Sequence, residues 1–84
     1  MYRFILDRRE DISGTSGTGI VVEGVVCTDG TTVLKWLRAP GGLNIYTTLQ
    51  EAISIHGHEG RTSLVWVDPP RDPGHPAWQH ETHN

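Results

Sequence analysis

Tyr2, Phe4 and Leu6 share one parity at the start of the chain and Arg3 and Ile5 the other, the period-two signature of a short strand with one face on a core. The charges at Asp7, Arg8, Arg9, Glu10 and Asp11 are expected to end it. A small-residue stretch follows from Ser13 to Gly19, where glycine permits positive φ and hydroxyls bond nearby backbone groups. Ile20 to Cys27 then reads as a strand apolar on both faces, with Gly24 in its middle as a marker of a bulge or sharp bend. Asp29-Gly30 signals a hairpin turn into a returning strand with Thr32, Leu34 and Trp36 against Val33 and Leu37.

Ala39-Pro40-Gly41-Gly42 breaks the chain again, and Leu43 to Tyr46 alternates as a fourth strand. Thr48 stands three residues before Glu51, the spacing of a capping box that opens a helix. Leu49, Ala52, Ile53 and His56 fall at i, i+3, i+4 and i+7 and define one apolar stripe, and Gly57 is placed to end the helix. Thr62 to Val67 alternates as the last strand. The fold class is therefore mainly β with some α: about five strands in a small bent sheet or partly open SH3-like barrel, and one short helix before the last strand. From Asp68 the chain becomes rich in proline and histidine, which favours extended backbone. This divides the chain into a domain over 1–68 and a flexible tail over 69–84, in which Trp78 is the residue suited to docking.

With 84 residues, a single domain buries only about 60% of the surface its unfolded chain exposes. The core is expected to be thin, any site shallow, and self-association into a homo-oligomer a natural source of further stability. Cys27 is the single cysteine, so an internal disulfide is excluded and a small core residue in a reducing interior is the expected reading. The opening residues are too quickly charged for a secretory signal, and no apolar run approaches the roughly eighteen residues of a membrane span. A cytoplasmic setting without membrane contact follows. Ten acidic against seven basic residues, a net charge of −3, argue against a generic nucleic-acid binder.

Local chemistry is more specific than overall charge. The loop Gly14-x-x-Gly17-x-Gly19 lacks the lysine of a P-loop and leads into a strand, which excludes both standard nucleotide fingerprints. What it retains is a run of backbone donors able to form an anion-binding nest, with the hydroxyls of Ser13, Thr15, Ser16 and Thr18; the competing reading is a loop whose hydroxyls cap its own backbone. Trp36 beside Lys35 and Arg38 offers a stacking surface next to cations, against the plainer reading of a core aromatic. Five histidines, His56, His58, His75, His80 and His83, raise the question of zinc, but the tail offers no scaffold to hold a metal, so no metal site is expected. His56 is placed to cap the end of its helix. No nucleophilic elbow or paired catalytic arrangement is recognisable.

The succession Asp11-Ile12-Ser13-Gly14-Thr15-Ser16-Gly17-Thr18-Gly19, Glu23-Gly24-Val25, Asp29-Gly30-Thr31, Lys35-Trp36 and His56-Gly57-His58 resembles a family of small bacteriophage and actinobacterial proteins of unsettled function. The resemblance spans Arg8 to Asp68, is weakest from Ala39 to Gly42, and assigns no catalytic or binding residue. It implies a phage accessory protein, working in an infected bacterial host on host machinery or defences. Small proteins of this kind include sponges for the nucleotide messengers of antiviral signalling.

Together these observations lead to a non-enzymatic protein without cofactor that captures a small phosphate-containing ligand, a cyclic nucleotide or an NAD-derived messenger. Ser13, Thr15, Ser16 and Thr18 would hold phosphate, Trp36 would stack, and Arg38 or Arg61 would supply charge. Two other readings stand beside it: a module that docks on a host or virion protein, and a small phosphodiesterase using His56 or His58 with Arg61.

Overall fold

The computed structural model describes residues 1–9, 19–56 and 62–81, the last three of these in backbone only. The strands are β1 (Tyr2–Arg8), β2 (Gly19–Val26), β3 (Thr32–Trp36), β4 (Gly42–Tyr46) and β5 (Thr62–Trp66). Helix α1 (Leu49–His56) lies between β4 and β5 in the chain, and a short helix α2 (Pro76–Glu81) follows β5. The strands form one antiparallel sheet in the order β4-β3-β2-β1-β5. Because β4 and β5 occupy opposite edges, the sheet does not close, which is the open, mainly β arrangement with one short helix before the last strand that the sequence predicts.

Register sorts the side chains onto two faces. Phe4 stands opposite Gly24 and Trp66, Gly24 opposite Leu34, and Leu6 opposite Val22 and Leu64. With Leu49 and Ala52 of α1, the apolar residues of these rows make the buried core, and Trp36, Tyr46, Ile53, Leu64 and Trp66 pack around it. The helix therefore presents its expected stripe to this face and closes it. The other face carries Arg3, Ile5, Glu23, Val25, Val33, Lys35, Leu43, Ile45 and Val65, and no described element packs over it.

The irregularity expected at Gly24 lies elsewhere. The register of β1 and β2 shifts between Leu6, opposite Val22, and Asp7, opposite Ile20, which leaves Val21 as the extra residue of a β-bulge. Val21 and Val22 are consecutive yet both fully buried, as a bulge allows. Gly24 serves a different need: a Cβ there would overlap the Phe4 ring.

The turns follow their residues. Cys27 and Thr31 close the β2–β3 hairpin, Gly30 takes φ +95°, and Asp29 accepts the Thr31 amide at 2.9 Å. That bond holds the Asp29 carboxyl below its ordinary range. Cys27 is half-buried at this hairpin rather than deep in the core. At the start of α1, the Thr48 hydroxyl accepts the Glu51 amide at 3.1 Å as a capping box requires. The returning carboxylate differs, reaching the Thr47 amide and hydroxyl instead of Thr48.

Candidate functional site

β1 and β3 end, and β2, β4 and β5 begin, at the same end of the sheet. Arg8 is the cross-strand partner of Gly19 on one side and Thr62 on the other, and Trp36 that of Val22 and Gly42. The segment 10–18 departs after Arg9 and returns at Gly19, the β3–β4 turn carries Arg38, and Arg61 immediately precedes Thr62. Three connections thus join the sheet at the end where Arg8 lies.

Arg8 continues the inward parity of Tyr2, Phe4 and Leu6 and is only 4% exposed. Its Nε makes a long bond of 3.5 Å to the Thr62 hydroxyl, and its guanidinium carbon lies 5.7 Å from the Trp36 ring centroid. A tryptophan face attracts a cation at this range. The ion pair recorded among the described residues, Arg3 with Asp68, does not involve Arg8. Arg8 is therefore a buried, permanently charged fork of donors with a ring and a hydroxyl against it, and no carboxylate among the described residues offsets its charge.

The side chains around Trp36 are tied to one another. Its indole N–H donates to Asn44 Oδ1 at 2.6 Å, and His56 meets the ring edge-on with centroids 5.2 Å apart. Tyr46 Oη and His56 Nε2 are hydrogen-bonded at 2.6 Å, so His56, expected to serve the end of its helix, turns its ring onto the sheet. These contacts hold the Trp36 ring in place beside Arg8.

At the opposite end of the sheet the segment after Asp68 returns onto β1. His75 is fully buried, edge-on to Tyr2 at 4.7 Å and to Trp66 at 4.5 Å. Its Nδ1 accepts the Ala77 amide at 3.0 Å, which makes Nε2 the donor to the Asp68 carbonyl at 2.9 Å. The Arg3 guanidinium pairs with Asp68 at 2.7 Å and Nε at 3.1 Å, and the Arg3 amide adds a bond at 2.8 Å. Hydrogen bonding from Arg3 draws the Asp68 carboxyl down to about 2. The Tyr2 hydroxyl donates to Asp72 at 2.7 Å, and this bond raises its pKa. Here too is a shallow cavity of about 280 Å³ between Tyr2, the β2–β3 turn, Gly74 and Pro76, with Cys27 in its wall. Trp78, singled out above for docking, stays partly exposed.

Of the residues named from sequence, Trp36 lies half-buried beside Arg8, and Arg38 lies exposed in the turn that Gly41 closes on the Arg38 carbonyl. Ser13, Thr15, Ser16, Thr18 and Arg61 lie outside the described residues, as does His58. Arg8 itself was counted among the charges that end β1. One more step of the alternation that identified the strand would have assigned it to the inward face.

A family model described as Acb5 phage protein matches residues 1–68. No curated protein and no solved structure matches the chain.

Proposed function

The chain belongs to the Acb5 phage protein family, and from that premise we propose that this phage accessory protein is a non-enzymatic trap for a small phosphate-containing ligand, a nucleotide signal of host antiviral defence. The observation that carries the reading is Arg8: a guanidinium 4% exposed, braced by Trp36 and Thr62, with no carboxylate against it among the described residues. A buried cation is costly unless an opposite charge meets it. An arginine fork suits the oxygens of a phosphate, which it binds in bidentate fashion.

The chain's connectivity supports the same location. Segment 10–18, with the hydroxyls of Ser13, Thr15, Ser16 and Thr18, leaves the sheet one residue after Arg8 and rejoins it at Gly19, the cross-strand partner of Arg8, and Arg61 is one residue from its other partner, Thr62. In this reading Arg8 is the primary anion contact and the loop hydroxyls and backbone amides surround the phosphate. Arg38 and Arg61 add charge at the rim. Trp36 orients Arg8 and offers its remaining ring surface to a base.

Calorimetry on the full chain tests this with a panel of cyclic oligonucleotides, NAD-derived nucleotides and inorganic phosphate. Binding of at least one nucleotide is expected, with recovery of the ligand unaltered after the protein is denatured. Arg8→Gln should weaken that binding at least tenfold. Silence across the panel, or undiminished binding by a folded Arg8→Gln protein, would sink the reading, and a cleaved ligand would replace the trap with a phosphodiesterase.

A further inference from the structure

The sheet face away from α1 is apolar and exposed. Ile45 is 68% and Leu43 64% exposed, while Ile5, Val25 and Val33 are half-buried. At its centre stand two charged residues, Glu23 on β2 and Lys35 on β3, directly opposite each other in register. Both are exposed, and they form no ion pair with each other. Soluble monomers rarely leave a large contiguous apolar face open to water, and charged residues in such a face demand partners when it is covered.

We propose that this face is the contact between two copies of the chain, packed sheet on sheet about a two-fold axis that runs along the strands between β2 and β3. The arrangement of charges selects that occupant. Rotation about such an axis exchanges β2 with β3 and β1 with β4, so each residue meets the one at the mirrored strand position of the other copy. Glu23 meets the second copy's Lys35, and Lys35 meets its Glu23. In the same operation Ile5 faces Leu43, and Val25 faces Val33. The rows on β2 and β3 and the Ile5/Leu43 pair are therefore complementary to themselves in charge and apolar pattern, which is what an isologous dimer requires, while Arg3, already paired with Asp68, falls opposite Ile45 at the margin. Face-to-face sheets pack about 10 Å apart with strands roughly 30° from alignment, and the charge pairs and the Val25/Val33 pairs both lie on the two strands that flank the axis. Arg8 itself points to the opposite face of the sheet, away from this contact.

Sedimentation velocity over a concentration series of the full chain is the test, and a concentration-dependent species of twice the chain mass is expected. Glu23→Lys and Lys35→Glu should each weaken dimerisation at least tenfold. An equimolar mixture of the two variants should dimerise again, because one then presents only cations at the centre and the other only anions. The exposed Ile45→Thr substitution provides a charge-neutral check that leaves the core untouched and should also weaken the dimer. A wild-type chain that stays monomeric throughout overturns the proposal and leaves the face to a different protein. So does a dimer that Ile45→Thr and the charge variants leave unweakened, or a mixture of the two variants, each with native circular dichroism, that stays monomeric.

Discussion

Phe4 and Gly24 are cross-strand neighbours, and the Phe4 ring occupies the space into which a side chain at position 24 would project. Phe4 is itself 1% exposed and meets the Trp66 ring edge-on at 5.6 Å, so it has little room to withdraw. Gly24→Ala is expected to destabilise the fold by about 1–3 kcal/mol through overpacking. Denaturant unfolding followed by tryptophan fluorescence would read the loss; a variant as stable as the parent would show that the ring relaxes freely.

His75 joins the segment after Asp68 to β1 and β5. Truncation to alanine removes two ring contacts and leaves the Ala77 amide and the Asp68 carbonyl without their partner. His75→Ala should cost about 2–4 kcal/mol of attachment. Tryptic cleavage after Arg71 should accelerate accordingly, and an unchanged cleavage rate would count against this attachment.

The Arg3–Asp68 pair predicts an acid response. The Asp68 carboxyl falls from an ordinary 3.8 to about 2 because Arg3 hydrogen-bonds its ionised form. Stability from the pair is therefore complete above the ordinary value and is lost as pH falls from there through about 2. Asp68→Asn should remove that part of the acid transition and leave stability near neutrality only modestly lower, since an exposed pair contributes little. Circular dichroism along a pH titration of both proteins would distinguish them.

Arg8 predicts a conflict between stability and binding. Methionine retains much of the packing of the arginine stem and removes a buried charge, so Arg8→Met should be neutral to about 2 kcal/mol more stable. Ligand binding should be lost in the same protein. Thermal melts and calorimetry on one preparation test both halves, and a marked loss of stability would show that Arg8 is a structural cation.

Thr48 caps α1 through the Glu51 amide, and Thr48→Ala should cost about 1 kcal/mol. Thr48→Ser, which keeps the hydroxyl, should restore most of it. Equal losses in the two variants would point to the methyl group instead.

The period-two alternations of Tyr2 to Leu6 and Thr62 to Val67, the Asp29-Gly30 turn and the Thr48/Glu51 cap were all legible because each signal lies within a few residues of chain. The inward stripe of α1 was legible for the same reason. Arg8 was legible only in parity: it continues the alternation of Tyr2, Phe4 and Leu6, but a charged residue after a strand ordinarily marks its solvent end, and the pairing with Gly19 and Thr62 decides that β1 runs on. Likewise the proline-rich composition after Val67 conveys an extended backbone and not the Tyr2–His75–Trp66 contact that receives it.

By itself, then, the sequence determined five strands, their turns and one helix, since parity, turn chemistry and capping act locally. The tertiary structure decided which edge each strand took, that the sheet stayed open, and that Arg8 was buried against Trp36. Those outcomes depend on pairing between residues far apart in the chain, such as Arg8 and Thr62, which are 54 positions apart. No local pattern encodes which distant neighbour will share a face.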